Sequence, residues 1–440
     1  MIKEVLLKNK PSFILKTPVL SESAYLRYFT FFYLYVMQGI PAGFAITALA
    51  NYLIGKNVSS ERVGTFIAVV GLPWILQFVW GPLIDRFQYS SMGNRKHWIV
   101  FSQWATILVT TGLYMIQKPE ASLPLLSGIF FTNSIFASIQ VASVDAMAIT
   151  IAPPDERGRM NGYMRGGLLL GVAFSSTVFS IMLHSYSFQT TAIVQTITLG
   201  FFSVLFFFTR LERSNTLLPS AKKMDDRKTN SEGNPSFKTV FKNVYRGIVA
   251  KKSLQYLFLI ALIYFCSSVF IRSYTYHLIN VMKWPDKQVS LLQGGWGSIV
   301  TFIAIIFAGR TSDKLGHKSM QVIVMWCVCI FLLVLNATNF LWTYQYYSGT
   351  ALVLWNLADP LLSVAIFPIL MGLCVKKVEG SQFTTYLALI NLCDVLGSYV
   401  TGWSLTVITA PTLSLICGLS LLTVLIIIKF RKHYGVIPSI

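Results

Sequence analysis

The chain has 440 residues, of which 54% are hydrophobic and only 12% are charged, and its net charge is +19. Soluble domains carry about 25% charged residues, so this composition excludes an ordinary soluble protein. The apolar residues fall in runs of roughly 18 to 28, which are long enough to cross a hydrocarbon core of about 30 Å. We therefore predict an all-α, polytopic membrane protein.

Twelve apolar runs are predicted to be transmembrane helices. A polar stretch separates the first six from the last six, so we divide the chain into a first six-helix bundle (1–211), a central loop (212–253) and a second six-helix bundle (254–440). The short connections leave no room for a separate catalytic domain. The predicted spans lie near residues 28–50, 63–83, 98–117, 124–152, 160–184, 188–209, 254–279, 288–309, 319–338, 347–374, 382–409 and 411–429.

The basic residues are distributed unevenly between the two sides of the membrane. If the N-terminus is cytoplasmic, six of the 36 Lys and Arg residues lie outside or in the outer membrane half, which leaves 30 inside. Such an excess follows the positive-inside rule, so both termini and the central loop are predicted to be cytoplasmic. The net charge thus reports orientation, and no nucleic-acid partner is expected. The six are Lys56, Arg62, Lys118, Arg272, Lys283 and Lys287.

Two charged loops repeat nearly the same sequence at half-chain spacing. The first reads G-P-L-I-D-R at 81–86 with G-N-R-K at 93–96, and the second reads G-R-T-S-D-K at 309–314 with G-H-K at 316–318. Each follows an apolar run, so each is predicted to be a turn where a helix leaves the bilayer. The repetition indicates two duplicated halves.

The pattern G-x-x-x-D-[RK] with a trailing glycine resembles the signature loop of the major facilitator superfamily. This resemblance implies twelve helices in two pseudo-symmetric bundles that rock around a central site. It also implies that Asp85, Arg86, Asp313 and Lys314 form a conformational gate, in which the carboxylates accept hydrogen bonds from helix N-termini of the opposite half. Ordinary turn capping is the simpler alternative.

Two carboxylates lie near the middle of predicted spans. A charged side chain there costs at least about 2.5–3.5 kcal/mol on insertion scales, so its presence indicates a function. Asp359 in span 10, with Asn356 one turn before it, and Asp394 in span 11 are candidates for proton coupling or for binding a substrate cation. The alternative is a pair of structural carboxylates that are hydrogen-bonded to neighbouring helices.

Three further residues are candidates for the transport pathway. Arg272, in the outer third of span 7, is a candidate anchor for an anionic substrate group, unless it extends to the outer interface instead. Asp145, in the inner third of span 4, is predicted to join the gate by pairing with a basic loop residue. Trp355 is a candidate cavity residue, although packing is the commoner role of such aromatics. No metal or other cofactor is expected.

Within the superfamily, the first 170 residues resemble the AmpG-type muropeptide permeases and their relatives, which include acetyl-CoA transporters and some siderophore importers. The resemblance rests on G-L-P-W at 71–74, F-V-W-G-P-L-I-D-R-F at 78–87 and P-D-E-R-G at 154–158. The chain departs from the family pattern at charged positions, where it has Gln77, Val141 and D-A-M-A-I-T at 145–150. These departures concern the substrate and leave the fold and the loop mechanism intact.

We therefore expect a secondary transporter of a bacterial inner membrane, monomeric and working by alternating access. The preferred hypothesis is proton-coupled uptake of a small organic solute, such as a siderophore, a peptide-like conjugate or a muropeptide. The alternatives are proton-coupled export of drug-like or lipid-like solutes, and a transporter-like sensor that signals through its central loop. A membrane-embedded enzyme is disfavoured because all five histidines fall at or near span ends.

Overall fold

A computed structural model describes residues 19–87, 90–151, 153, 157–218, 251–373 and 379–433. Within these ranges the regular structure is entirely helical, which confirms the predicted all-α fold. Eleven of the described helices are long and apolar enough to cross a membrane. The twelfth long helix, Glu379–Ser404, has 26 residues and therefore a length of about 39 Å.

The first half contains six antiparallel helices, and several of them are built from successive segments. They are α1 (Ala24–Gly43, continued by a π-helical turn at Phe44–Leu49 and by Ala50–Gly55), α2 (Ser60–Ile75 and Gln77–Arg86), α3 (Lys96–Thr111), α4 (Leu123–Ile151), α5 (Arg157–Ser185) and α6 (Phe188–Phe208).

The second half repeats this arrangement. Its helices are α7 (Lys251–Tyr276, continued by a π-helical turn at His277–Val281), α8 (Asp286–Ser290, a π-helical turn at Leu291–Trp296, and Gly297–Leu315), α9 (His317–Ala337), α10 (Gln345–Trp355 and Ala358–Gly372), α11 (Glu379–Ser404) and α12 (Ala410–His433). Most of the predicted central loop, residues 219–250, lies outside the described residues, so the domain limits remain a prediction.

The alternation of the helices gives the bundle two distinct ends. We call the end that holds the start of α1 and the end of α12 the terminal end, and the opposite end the distal end. The charge distribution predicts that the terminal end is cytoplasmic. Both repeated loops lie at this end, because each follows an even-numbered helix of a chain that starts there.

The trailing glycine of each repeated loop has a backbone conformation that favours glycine. Gly93 has a φ of 114° and Gly316 has a φ of 81°. A residue with a Cβ is strained in this region, so both turns depend on glycine in the same way. The duplication predicted from sequence is thus reproduced in backbone geometry.

Close packing inside the first half also depends on glycine. A Cβ on Gly167 would lie 2.3 Å from the carbonyl oxygen of Phe32, and one on Gly171 would lie 2.2 Å from that of Val36. Small residues of α5 therefore allow close approach to the neighbouring helix α1. Because this face of α5 packs against α1, a different face of α5 is available to line the interior of the molecule.

Candidate functional site

The distal end of the interface between the halves is closed by hydrogen bonds. The Asn51 side-chain amide donates to Ser290 Oγ at 2.9 Å, and Ser60 Oγ donates to the Gly402 carbonyl at 3.0 Å. His184 Nε2 lies 2.8 Å from Asp286 Oδ2. Each bond joins a residue of the first half to a residue of the second.

Backbone contact between α2 and α11 seals the same end. A Cβ on Gly64 would lie 2.8 Å from the Ser398 carbonyl oxygen and 2.9 Å from Gly402 Cα. The two helices therefore meet at a point where neither tolerates a side chain. In this conformation the centre of the molecule is shut off from the distal side.

A cavity of about 200 Å³ lies between the halves, nearer their centre. Helices α1, α2 and α4 of the first half and α11 of the second supply its walls. Most of the lining is apolar, with Trp74 and Phe130 as the largest side chains. The polar residues among the lining are Gln38, Asn133, Ser134, Asn391 and Asp394.

Two amide side chains at this cavity have unused hydrogen-bonding atoms. Gln38 is buried, and among the described residues neither its Oε1 nor its Nε2 has a partner. Asn133 donates to Thr110 Oγ1 at 3.2 Å, but its Oδ1 has no partner in the described part of the chain. Unsatisfied buried amides are costly, so these atoms are suited to bind a polar ligand.

The predicted carboxylate Asp394 lines the cavity and faces Arg272. The Arg272 Nη2 atom lies 3.9 Å from Asp394 Oδ2, and the two side chains are 15% and 50% exposed. At this distance the contact is a weak ion pair. The Asp394 side chain also remains half exposed to solvent. Arg272 is largely buried against Asp394 and does not extend to the surface, although its Nε has no partner among the described residues.

The second predicted carboxylate, Asp359, is exposed and lies within electrostatic range of two other interior charges. These are Asp394 and Arg165, and Arg165 belongs to α5 of the first half. The structure therefore places Asp359 and Asp394 within electrostatic range of each other. Their assignment to proton coupling stays a prediction.

A family model described as "Major Facilitator Superfamily" matches residues 29–402. The chain belongs to this superfamily. An "anhydromuropeptide permease" of Escherichia coli K12 is 21% identical over 377 residues, which cover 83% of this chain and 72% of that protein. An "uncharacterized protein" of Haemophilus influenzae is 30% identical over 141 residues, which span only 30% of this chain and 32% of that protein.

A solved structure agrees with this membership. The xylose transporter XylE from E. coli, in a partially occluded inward-open conformation, has a TM-score of 0.63 and 12% sequence identity. The match covers 90% of this chain and 97% of that one. At this identity the likeness concerns the fold alone, and it confirms the predicted architecture of two six-helix bundles.

Asp145 is hydrogen-bonded to a neighbouring helix of its own half. Its carboxylate accepts a short hydrogen bond from the Tyr35 hydroxyl of α1, and Arg165 is the basic residue within electrostatic range. The predicted pairing of Asp145 with a basic loop residue stays a prediction. The predicted gating role remains a prediction, and the described hydrogen bond ties Asp145 to α1.

Two of the predicted pathway residues make packing contacts. The Trp355 ring is buried, with its centroid 4.3 Å from that of Phe270 and 5.5 Å from that of Phe331. The Asn356 amide donates to the Leu352 carbonyl at 3.0 Å. Neither Trp355 nor Asn356 lines the cavity between the halves.

The four predicted gate residues stand at the terminal end. Asp85 and Arg86 end α2, while Asp313 and Lys314 lie in the last turn of α8. Their side chains lie outside the described residues, so the gate contacts remain a prediction. The two pairs thus occupy equivalent positions in the two halves, as the repeated loop predicts.

Three polar residues of the interior were not predicted as site residues, namely Arg165, Gln38 and Asn133. Arg165 was counted among the loop cations that set the orientation, although it stands eight residues inside α5. The position of Arg165 inside a predicted span could have identified it as an interior charge. The two amides had none, since uncharged polar residues are common in membrane helices and only the cavity distinguishes them.

Proposed function

We propose that this protein is a proton-coupled secondary transporter that takes up a small organic solute by alternating access. The observation that carries the proposal is the cavity at the interface of the halves, with its unpaired amides beside Asp394. A closed distal end above a central site is one of the two states that alternating access requires. The terminal end is the cytoplasmic one in this proposal.

The amide-rich lining favours a solute with several amide or hydroxyl groups. Gln38 and Asn133 offer both donors and acceptors, while Trp74 and Phe130 offer apolar surface. A siderophore, a peptide-like conjugate or a muropeptide has this mixed character. The relationship to the anhydromuropeptide permease supports that class, while the altered charges at 145–150 argue for a different member of it.

In this proposal Asp359 and Asp394 carry the proton. Both are accessible to solvent at the centre of the bundle, and they lie close enough to repel each other. One of the two carboxylates would carry the proton while the other stays ionised. Opening to one side and then the other would move that proton across the membrane.

The test is uptake by reconstituted vesicles under an imposed pH gradient, with a panel of labelled muropeptides and siderophores. We expect uptake by the unmodified protein to follow the gradient. Asp359→Asn or Asp394→Asn should reduce gradient-driven uptake to the level of empty vesicles, while exchange of labelled for unlabelled solute persists. Glu212→Gln is the control, because Glu212 is exposed at the terminal end.

Uptake that ignores the gradient, or that survives in both aspartate variants, would remove the proton-coupling proposal. Reversing the gradient tests the second candidate function, export of an amphiphilic solute. That candidate is favoured by the mainly apolar wall of the cavity, which includes Ile46, Val70 and Val395. Release driven by inward proton flow would support export over uptake.

A further inference from the structure

Arg165 faces the interior of the bundle, although its side chain is exposed. It lies eight residues after the start of α5, at a depth of about 12 Å along the helix. Leu170 and Phe174, large apolar side chains that are exposed as on a lipid-facing surface, follow it by five and nine residues. At about 100° per residue they point roughly 140° and 180° away from Arg165, so its exposure is to space inside the molecule.

The residues that follow Arg165 contact both halves. A Cβ on Gly166 would lie 3.0 Å from the ring of Phe302 in α8. One on Gly167 would lie 2.3 Å from the Phe32 carbonyl oxygen in α1. Arg165 therefore stands where α5 passes between a helix of its own half and a helix of the other.

The charges around Arg165 come from both halves as well. Asp145 and Tyr35 of the first half, and Asp359 and Tyr264 of the second, lie within its electrostatic range. Within the described ranges Arg165 has no hydrogen bond or ion pair, whereas Asp145 is already bonded to Tyr35 and Arg272 already faces Asp394. All the donors of Arg165 are thus unused within the described ranges, whereas Arg272 has an unpaired Nε but contacts Asp394 through Nη2.

An arginine in this state suits one kind of ligand. Its planar guanidinium presents five donors in a fork that matches a carboxylate or a phosphate, and such charge-assisted pairs are strong. The exposed side chain is open to water. A solute that displaces this water without an anionic group would leave the guanidinium unpaired, which disfavours its binding.

We propose that Arg165 binds an anionic group, a carboxylate or a phosphate, of the transported solute. This inference rests on the proposed function and specifies its substrate class. It also transfers the role predicted for Arg272 to a residue of the other half. The solute would then touch α5 through its anionic group and the amide-lined cavity through its polar body.

The balance of interior charges extends this proposal to coupling. The five interior charges described above, Asp145, Asp359, Asp394, Arg165 and Arg272, sum to a net charge of −1. A bound monoanion makes the set −2. Neutrality is restored by two protons, or by one proton and one amine of the solute, on Asp359 and Asp394. The charge balance therefore fits a monoanion that enters with two protons or a zwitterion that enters with one.

The first experiment measures the local potential without any solute. In a variant whose six cysteines are replaced by alanine, Leu169→Cys places a thiol one turn after Arg165 on the same helix face. Its reaction rate is compared between an anionic and a cationic thiosulfonate reagent. We expect Arg165→Gln to lower the anionic-to-cationic rate ratio by about fivefold or more.

Two further variants serve as controls in this measurement. Arg165→Lys keeps the charge and should keep the ratio, whereas Arg62→Gln, at an exposed distal site, should not change it. A ratio that is the same with and without Arg165 would overturn the proposal. This outcome does not depend on whether the transported solute has been identified.

The second experiment compares a tripeptide-bearing muropeptide with the same molecule amidated at its carboxylates. The unmodified protein should take up the carboxylate form at least about tenfold faster than the amidated form, and Arg165→Gln should abolish this preference. Equal preference in both proteins would overturn the anion-binding role. Uptake that ignores the pH gradient but keeps the preference would instead refute only the proton coupling.

Discussion

The distal end of the interface and the central cavity use polar side chains in opposite ways. At the distal end, Asn51 and Ser60 each find a partner in the other half. At the centre, Gln38 and Arg165 have none among the described residues. Paired groups stabilise the closed conformation, whereas unpaired groups are stabilised when a ligand binds. The same residue types therefore hold the halves together in one region and form a binding site in the other.

The strongest way to break this comparison is to open the distal end. Gly64→Val would push a branched side chain into the backbone of α11, where even a Cβ lies within 3 Å of two atoms. Overpacking of this kind costs up to about 3 kcal/mol, which lowers the closed population roughly 100-fold. Spin labels at Arg62→Cys and Lys287→Cys, both exposed at the distal end, would report the wider distance.

The matched control is Gly200→Val, because a Cβ on Gly200 meets nothing within 4 Å. That variant should keep the label distances and the uptake rate of the unmodified protein. If Gly64→Val also kept them, the contact between α2 and α11 would not be the seal.

Removing one amide from each region should change stability in opposite directions. Asn51→Ala breaks the buried bond to Ser290 and should destabilise closure by about 1–2 kcal/mol, a factor of roughly 5 to 30. Gln38→Met removes an unsatisfied amide and keeps its volume, so it should raise the melting temperature of the ligand-free protein while it lowers uptake.

Label distances measure the first effect and thermal unfolding measures the second. Asn339→Ala, at an exposed distal site, is the control for both. A destabilised Gln38→Met protein would mean that the glutamine supports packing rather than a ligand.

The smallest effect is expected at the His184–Asp286 pair. Its atoms are 2.8 Å apart, but the His184 side chain is 36% exposed, so solvent screens the interaction. Asp286→Asn should destabilise the closed conformation by about 0.5–1 kcal/mol. The ratio of closed to open populations, measured from the label distances, should then fall about two- to fivefold. A loss as large as that of Gly64→Val would show that this pair, rather than the glycine contact, dominates the seal.

The sequence predicted the fold because the membrane imposes simple rules. A helix must satisfy its backbone internally and must be long enough to cross, so apolar runs locate helices such as α3 and α6 within a few residues. The repeated loop identified the duplication, and Gly93 and Gly316 adopt the special backbone that such a turn needs. The midplane carboxylates Asp359 and Asp394 were found for the same reason, since charge is rare there.

The binding site was predicted only in part. Trp355 and Asn356 were selected by depth, but depth does not say which face of a helix turns toward the partner half. Arg165 was missed because a basic residue near a helix start satisfies the positive-inside pattern equally well. Gln38 and Asn133 carry no charge, and so their position gave no energetic signal.

By itself the sequence determined that this chain spans a membrane with helices in two repeated halves, because hydropathy, charge asymmetry and a duplicated motif are properties of the chain. Only the tertiary structure decided which polar atoms of the two halves meet and which remain unpaired. That distinction depends on how closely the helices pack and on how each is rotated about its axis. A small rotation decides whether a polar side chain meets a partner in the other half or faces the cavity.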